Sequence, residues 1–263
     1  MRMLEFRYKL RVKSNKLQQK IVKNKLVGGI LNSLYPLDFT CNYCGKELKN
    51  PTRSGLCAEC DSKLEYNNAG VCVCCGRPLD SETDYCLTCQ NNKRYFEFAR
   101  SPLVYDGISR KLIYQFKFNN KKYLAKYFSK LMVDTFLSNP FTVDCITFVP
   151  VSKSRFVSRG YNQSELLATE IGSILKLEVV DSITKIKETK DQVGLSGKER
   201  TENLKGAFKV DKELVKGKNI LLVDDVLTTG NTASECSRVL LNAGAKSVEV
   251  LTIASVEEKL YLA

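Results

Sequence analysis

The sequence of 263 residues contains no histidine. This absence excludes Ser-His-Asp hydrolysis, Cys-His proteolysis, histidine-ligated metal sites and any mechanism that needs an imidazole base. Proline (6 residues) and glycine (15 residues) are sparse, and 43% of the residues are hydrophobic. These proportions exclude a collagen-like or largely disordered chain. We therefore expect one or two globular domains.

Long apolar segments are also missing. No apolar run approaches the roughly 18 residues that a membrane-spanning helix needs. Basic residues interrupt the first 30 positions, so the apolar segment of a signal peptide is not found there. We therefore expect a cytoplasmic protein without a membrane span. Disulfides are rare in that compartment, so the 11 cysteines suggest metal binding instead.

The positive charge is concentrated at the N-terminus. The formal net charge is 41 − 29 = +12, and residues 1–25 contribute nine lysines and arginines against Glu5 alone, or +8. A basic balance favours a polyanionic partner, most simply nucleic acid. A solvated tail without a partner is the alternative. Residues 1–26 are interpreted as a basic N-terminal arm, which is either a marginal helix or disordered.

Residues 27–98 are expected to form a double zinc-ribbon domain, because nine of the 11 cysteines lie there. A glycine follows the second cysteine of the first and third Cys-x-x-Cys pairs (Gly45 and Gly76), so the segment is an internal repeat of two halves. Each half supplies the four thiolates of a structural zinc site, with Zn–S distances of about 2.3 Å. The eight paired cysteines are Cys41 and Cys44, Cys57 and Cys60, Cys72 and Cys75, and Cys86 and Cys89.

The spacing leaves the zinc connectivity open. One zinc per half, in sequential order, is the simplest arrangement, but the spacing is also compatible with a cross-braced one. Cys74 is a spare thiol that we interpret as a non-ligand. A redox role would need only one Cys-x-x-Cys pair in a thioredoxin-like context, which is absent here. Because the segment is too small to bury much apolar surface, the metals should supply much of its folding energy.

Residues 99–263 predict a different fold. Buried strands are predicted at residues 145–151, 219–224 and 247–253, and a helix carries Leu167, Ile171 and Ile174 at helical spacing. Strands that alternate with helices indicate an α/β fold with a parallel sheet flanked by helices. Such folds bind ligands at the carboxyl ends of their strands.

The most informative motif spans residues 220–232. An apolar strand ends in Asp224 and Asp225, and a loop rich in threonine leads into a helix. A capping box from Thr232 to Glu235 is expected to start this helix, and Gly244 is expected to end it. A hydroxyl-rich loop at a helix N-terminus favours a phosphate. The carboxylates would face the hydroxyls of a ribose, with magnesium nearby; a response-regulator-like acidic pair would leave the threonine loop unexplained.

This segment resembles the phosphoribosyl-pyrophosphate (PRPP) signature of type I phosphoribosyltransferases. The resemblance implies that Asp224 and Asp225 contact the ribose 2′- and 3′-hydroxyls. It also implies that the following loop holds the 5′-phosphate of PRPP, which binds with Mg²⁺. The loop residues are Val226, Leu227, Thr228, Thr229, Gly230, Asn231 and Thr232.

Two further blocks narrow the resemblance. Residues 149–163 follow a predicted strand and are rich in groups that bind pyrophosphate, while the polar residues 187–208 could form a lid over the site. The candidate pyrophosphate contacts are Val151, Ser152, Lys153, Arg155 and Arg159. Together with the zinc ribbons, Pro36 and residues 112–117, these blocks resemble the ComF family of bacterial competence proteins. The resemblance covers roughly residues 27–254 and leaves out the basic arm.

The resemblance implies a phosphoribosyltransferase-like domain (residues 99–263) behind the zinc ribbons. It also implies a role with single-stranded DNA during natural transformation, beside a helicase partner. The alternatives are an active phosphoribosyltransferase with an unknown acceptor, and an interaction protein with a vestigial site. A glutamine amidotransferase is not expected, because the chain opens with Met1-Arg2-Met3 rather than with a cysteine nucleophile. Aromatic residues between positions 43 and 98 would stack on bases or form the small core.

Overall fold

The computed structural model describes residues 40–49, 52–68, 70–79, 83–187 and 203–257. The basic arm (residues 1–26), Pro36 and most of the expected lid (residues 188–202) lie outside the described residues. Within the described part, none of the helices combines the length and the apolar character that crossing a membrane requires.

A parallel sheet lies at the centre of residues 99–257, which confirms the predicted fold class. Its strand order is β1–β8–β7–β3–β4, with β2 also paired to β8, and every pair is parallel. Strands β5 and β6 form a separate antiparallel pair. The strands are β1 (Ala99–Arg100), β2 (Leu103–Val104), β3 (Cys145–Phe148), β4 (Glu178–Val179), β5 (Ile183–Lys185), β6 (Phe208–Val210), β7 (Asn219–Leu227) and β8 (Ser247–Ser255).

Helices cover the sheet and also occur inside the zinc-ribbon segment. Ser109 accepts a hydrogen bond from the backbone N–H of Asp106 at the start of α3, and the Asn162 side chain accepts one from the Ser164 N–H at the start of α6. Both contacts satisfy helix-end N–H groups. The helices are α1 (Ala58–Asp61), α2 (Leu87–Asn91), α3 (Gly107–Phe118), α4 (Leu124–Leu137), α5 (Lys153–Arg159), α6 (Gln163–Leu175), α7 (Lys212–Val215) and α8 (Asn231–Asn242).

The central strand β7 is longer than its sequence predicts. The predicted strand ended at Asp224, but β7 continues through both carboxylates and pairs with β8 as far as Leu227 opposite Ser255. Conversely, β3 ends at Phe148, before the predicted residue 151. The backbone pairing of β7 with its neighbour therefore holds the two aspartates on a regular strand rather than on a loop.

The predicted start of α8 is wrong, whereas its predicted end is confirmed. Thr232 does not cap the helix; Gly230 occupies the N-cap with φ +74°, and its left-handed conformation makes the turn from the loop into the helix. Glu235 forms an ion pair with Arg238 at 2.8 Å instead of folding back on the N-terminus. Gly244 ends the helix with φ +99°, and its N–H donates to the Leu241 carbonyl at 2.9 Å.

The helical face predicted for α6 is only partly correct. Leu167 and Ile171 are fully buried, but Ile174 is exposed. Ile174 stands in the last turn of α6, which ends at Lys176 in the left-handed conformation. Ile174 therefore lies on the solvent side of the last turn, whereas Leu175 in the same turn packs against the core.

The two halves of the zinc-ribbon segment pack on opposite faces of the sheet. The first half shares a hydrophobic core with α3, α4 and α6, and this core includes Leu221 and Val223 of β7. The second half shares a core with α8, and this one includes Ile220 and Leu222. Because alternate residues of a strand point to opposite sides, these two cores lie on the two faces of β7.

The second half is also hydrogen-bonded to the sheet edge at β1. The Ala99 N–H donates to the Cys74 carbonyl at 2.7 Å, and the Arg100 guanidinium donates to the Val73 carbonyl at 3.0 Å. Gly76 has φ +66°, and a Cβ atom there would lie 2.3 Å from the Ala99 carbonyl oxygen. A glycine is therefore required at the closest approach between this half and the sheet.

Candidate functional site

The loops that follow β3 and β7 meet at one edge of the sheet. The two strands are neighbours, with Phe148 opposite Val223, and the Val149 N–H donates to the Val223 carbonyl at 3.0 Å. Both strands therefore end side by side, which brings the loop after β3 next to Asp224. This edge is the carboxyl edge at which parallel sheets bind ligands.

Asp224 lies at this edge in a network of hydrogen bonds. Its Oδ1 atom accepts from the Ser164 hydroxyl and from the Asp225 N–H, both at 2.9 Å. Desolvation of the carboxylate and repulsion by Asp225 raise the pKa of Asp224 to about 7, against the opposing effects of these hydrogen bonds and of Lys117. Asp224 therefore holds a proton at a pH where an ordinary aspartate is ionised.

Asp225 is paired with a lysine from α3. The Lys117 ammonium lies 2.8 Å from the Asp225 Oδ1 atom, and the two side chains are 20% and 14% exposed. Two adjacent carboxyl groups at the end of one strand offer several acceptor oxygens, which suits the paired hydroxyls of a ribose. The ion pair with Lys117 partly neutralises them, so that a polyanionic ligand is less strongly repelled.

We call residues 226–232 the phosphate loop, because they connect the carboxylates to the N-terminus of α8. The first turn of a helix directs backbone N–H groups outward, and the helix dipole favours an anion there. Within the described residues, the Oγ1 atom of Thr229 is buried without a hydrogen-bond partner. A buried hydroxyl of this kind can donate a hydrogen bond to a phosphate oxygen.

Two arginines from the second zinc-ribbon half donate hydrogen bonds to the backbone of the phosphate loop. Arg77 donates to the Thr228 carbonyl, and Arg94 donates to the Thr229 carbonyl, each at 2.7 Å. Arg94 also donates to the Asn231 side chain at 3.2 Å. Neither arginine could be predicted from the sequence, because Arg77 is 151 positions from its partner and no local pattern connects the two segments.

The predicted pyrophosphate contacts are only partly gathered at this edge. Ser152 is buried at the start of α5, where its hydroxyl accepts from the Arg155 N–H at 3.4 Å, and Val151 precedes it. Lys153 and Arg155 are exposed on α5. Arg159 turns toward α3, with its guanidinium 4.7 Å from the centre of the Phe118 ring. The assignment of all five residues to pyrophosphate stays a prediction.

The eight paired cysteines form two separate clusters, one in each half. The four Sγ atoms of each cluster lie within 4.8 Å of one another. The Cys44 and Cys57 sulfurs are 3.8 Å apart, and those of Cys75 and Cys86 are 3.6 Å apart. A tetrahedron of sulfurs about 2.3 Å from a zinc ion has edges of about 3.8 Å. The clusters therefore fit two structural zinc ions in sequential order, and the cross-braced alternative does not fit.

The thiols within each cluster shift one another's pKa values through hydrogen bonds. Burial would raise the pKa of Cys41, but the backbone N–H groups of Cys44, Cys57 and Tyr43 lower it to about 6. In the second cluster, hydrogen bonds from Cys75 and then from the other two thiols place the pKa of Cys72 far below its ordinary value. Burial and the same contacts raise the pKa of Cys60 in the first cluster, and hydrogen bonds with Cys72 raise the pKa values of Cys75, Cys86 and Cys89 in the second. Without metal, each cluster therefore favours one thiolate among neutral thiols.

The other three cysteines lie outside the four-thiol sets. Cys74 is partly buried next to the second cluster, and hydrogen bonding to Cys89 lowers its pKa. Cys145 and Cys236 are fully buried in the hydrophobic core, as expected for core thiols. Burial raises the pKa of both groups, which keeps them as neutral thiols.

Known proteins share both parts of this architecture. A double zinc ribbon domain model matches residues 30–90, and a phosphoribosyl transferase domain model matches residues 162–262. Competence protein F of Haemophilus influenzae is 30% identical over 225 residues, which cover 82% of this chain and 97% of that protein. The chain belongs to the ComF family. As a ComF protein, it combines structural zinc ribbons with a phosphoribosyltransferase-like domain.

Other comparisons agree with ComF membership. The DNA utilization protein YhgH of Escherichia coli is 31% identical over 202 residues, covering 74% of this chain and 88% of that protein. Among solved structures, a glutamine PRPP amidotransferase from B. subtilis matches with a TM-score of 0.33 and 20% identity, over 50% of this chain and 25% of that one. The structural match is too weak to support any conclusion about activity.

Proposed function

We propose that this ComF protein binds PRPP with Mg²⁺ at the carboxyl edge of β7 and β3. The observation that carries this proposal is the placement of Asp224 and Asp225 beside the phosphate loop, where the buried Thr229 hydroxyl has no partner among the described residues. The carboxyl groups would accept hydrogen bonds from the ribose hydroxyls. The phosphate loop and the α8 N-terminus would hold the 5′-phosphate, and Ser152 and its neighbours would hold the pyrophosphate. Bound Mg²⁺ would neutralise pyrophosphate charge.

We also propose that the protein binds single-stranded DNA in the cytoplasm, in keeping with relatives named competence protein and DNA utilization protein. A surface beside the PRPP site has the required chemistry. We define the aromatic row as Tyr114, Phe118 and Arg159. Tyr114 and Phe118 are 57% and 54% exposed, and their ring centres are 4.9 Å apart. Exposed rings stack on bases, and the adjacent cation contributes to holding the DNA.

The aromatic row is a better candidate than the zinc-ribbon aromatics expected from the sequence. Phe96 is buried in the core, whereas Tyr66, Tyr85 and Tyr95 are exposed but form no ring pairs with one another among the described contacts. In contrast, the row is continuous and includes an arginine from a second helix. Lys117 stands directly before Phe118, so the row borders the proposed PRPP site and the two ligands would bind side by side.

Calorimetric titration with Mg-PRPP tests the ligand proposal. We expect wild-type protein to bind, and Asp225→Asn or Thr229→Val to lose at least tenfold in affinity. Glu178→Gln, which changes an exposed carboxylate on β4, serves as the matched control and should bind like wild type. No binding to zinc-loaded wild type would overturn the proposal. Release of pyrophosphate with a nucleobase acceptor would support PRPP binding and, in addition, the alternative of an active phosphoribosyltransferase.

Fluorescence anisotropy with a labelled single-stranded oligonucleotide tests the DNA proposal. We expect affinity that falls with salt, and a loss of at least tenfold in the Tyr114→Ala/Phe118→Ala variant, because stacking contributes about 1–3 kcal/mol per base. The matched control is Tyr66→Ala/Tyr85→Ala, which removes two exposed ribbon tyrosines. A larger loss in this control would move the site to the ribbons. No binding at low salt would overturn DNA binding itself.

A further inference from the structure

We propose that Arg77 and Arg94 of the second zinc-ribbon half position the phosphate loop. Through them, zinc held by that half sets the affinity of the site for a sugar 5′-phosphate, while zinc in the first half does not. This inference rests on the proposed PRPP site and assigns it a means of control. The four zinc ligands concerned are Cys72, Cys75, Cys86 and Cys89.

Arg77 connects the zinc-binding turns directly to the loop. It follows Gly76 in the turn after Cys75 and is only 1% exposed. One terminal nitrogen donates to the Thr228 carbonyl at 2.7 Å, and the other lies 3.4 Å from the hydroxyl of Thr88, which stands between two ligand cysteines. The position of its guanidinium therefore depends on both turns that hold the metal.

Arg94 makes a second connection five residues after the last ligand, Cys89. Its contacts with the Thr229 carbonyl and the Asn231 side chain lie on either side of Gly230, the N-cap of α8. The next residue, Tyr95, donates its N–H to the Ser234 hydroxyl at 3.3 Å. The segment after the second cluster is thus attached to the loop and to the first turn of the helix.

These contacts orient the N–H groups of the loop. In a planar trans peptide, the C=O and N–H point in opposite directions. With the Thr228 and Thr229 carbonyls turned toward the arginines, the N–H groups of Thr229 and Gly230 point away from them. Successive N–H groups aimed to one side form an anion-binding nest. The two guanidinium charges behind the loop add to the positive potential that a phosphate would meet.

Among its described residues, the first zinc-ribbon half makes no hydrogen bond or ion pair to the phosphate loop. Between Cys41 and Cys60, the long-range side-chain contacts of the described residues reach α3 and α4: Tyr43 accepts from Lys111 at 3.0 Å, and Arg53 pairs with Asp134 at 2.5 Å. Its buried residues belong to the core on the other face of the sheet. The two cysteine clusters therefore differ in the part of the structure that they contact, although the two halves are repeats of each other.

The experiment compares two ligands on the zinc-loaded protein by calorimetry. Ribose 5-phosphate probes the phosphate loop, and inorganic pyrophosphate with Mg²⁺ probes the loop after β3. We expect Arg94→Gln to lower the affinity for ribose 5-phosphate at least tenfold and to leave the affinity for pyrophosphate within twofold of wild type. Arg94→Lys should recover part of the lost affinity. Zinc content should remain at two per chain. A general loss of structure would instead weaken the binding of both ligands equally, and that result would overturn a positioning role for Arg94.

A second experiment removes the zinc ligands of one half at a time, so that each half serves as the control for the other. Cys72→Ser/Cys75→Ser should abolish ribose 5-phosphate binding, and Cys41→Ser/Cys44→Ser should leave it within threefold. Equal effects of the two pairs would overturn control by the second half. If the cysteine variants do not fold, Arg94→Gln still tests the inference. Unchanged ribose 5-phosphate binding by that variant would overturn the inference without overturning the proposed PRPP site. If wild-type protein binds neither ligand nor PRPP, the proposed function fails and the inference fails with it.

Discussion

Lys117 near the end of α3 is paired with Asp225 near the end of β7 at 2.8 Å. The pair joins a covering helix to the central strand at the edge where the ligand is proposed to bind. Both side chains are largely withdrawn from water, so each depends on the other for its charge to be tolerated there. In the proposed complex, a ribose hydroxyl would have to share the Asp225 carboxylate with Lys117.

A double-mutant cycle measures this pair. Lys117→Met should destabilise the protein by about 1–3 kcal/mol, because it leaves a mostly buried carboxylate without its hydrogen-bond donor. Adding Asp225→Asn should recover part of that loss. The exposed pair of Arg53 and Asp134 is the matched control, with an expected coupling below about 1 kcal/mol. Urea unfolding of the four variants of each pair gives both values; equal coupling would contradict the prediction.

Asp224 should make the ligand-free protein less stable as pH rises. Its pKa is raised to about 7, so between about pH 4 and pH 7 the folded state keeps a proton that the unfolded state has released. Stability supplied by this proton is present at low pH and is lost as pH rises through 7. Asp224→Asn should therefore be more stable than wild type at pH 8, with the difference shrinking toward pH 4. Thermal unfolding across this range checks it, and a difference that is constant with pH would contradict it.

The zinc content of cysteine variants tests whether each cluster binds its own zinc ion. Wild-type protein should hold two zinc ions, and a variant in which serine replaces all four cysteines of the first cluster should keep one. A cross-braced arrangement would lose both, because each site would lack two ligands. Cys74→Ser should keep two. Metal analysis of the purified proteins measures all three values.

The two repeat glycines provide a matched pair for the docking of the second half. Gly45→Ala and Gly76→Ala both place a side chain at positive φ, which costs about 1–2 kcal/mol. Only at Gly76 would the new Cβ collide with backbone, since nothing lies within 4 Å at Gly45. Gly76→Ala should therefore be destabilised by at least about 2 kcal/mol more, with the difference read from urea unfolding. Similar losses of stability in the two variants would contradict the prediction, because they would show that the backbone near Ala99 moves away from the new side chain at little cost.

The parts of the structure that depend on short-range spacing could be predicted from the sequence. Cys-x-x-Cys pairs determine their own metal clusters, and the apolar run of β7 identifies a buried strand. The end of β7 could not be predicted, because two aspartates followed by a threonine loop look like a chain turn. Only the pairing with β8, 28 residues further along, keeps Asp224 and Asp225 on the strand.

The side chains that complete the site were beyond prediction for the same physical reason. Ser164 reaches Asp224 from a position 60 residues away, and Arg94 reaches the phosphate loop from 135 residues away. Such contacts are set by how helices and ribbons pack, and they leave no periodic signal in either segment. Thr232 shows the converse error, because a local capping pattern was overruled by the left-handed turn at Gly230.

The division of the two ribbon halves between opposite faces of the sheet has a consequence for folding. Residues before position 99 complete the hydrophobic core on both sides, so the sheet is sealed only when the preceding segment is in place. A fragment that begins at residue 99 would expose apolar surface on both faces at once and should aggregate. The ribbons and the sheet should melt in a single cooperative transition, and the two halves, although alike in sequence, could not be exchanged for each other.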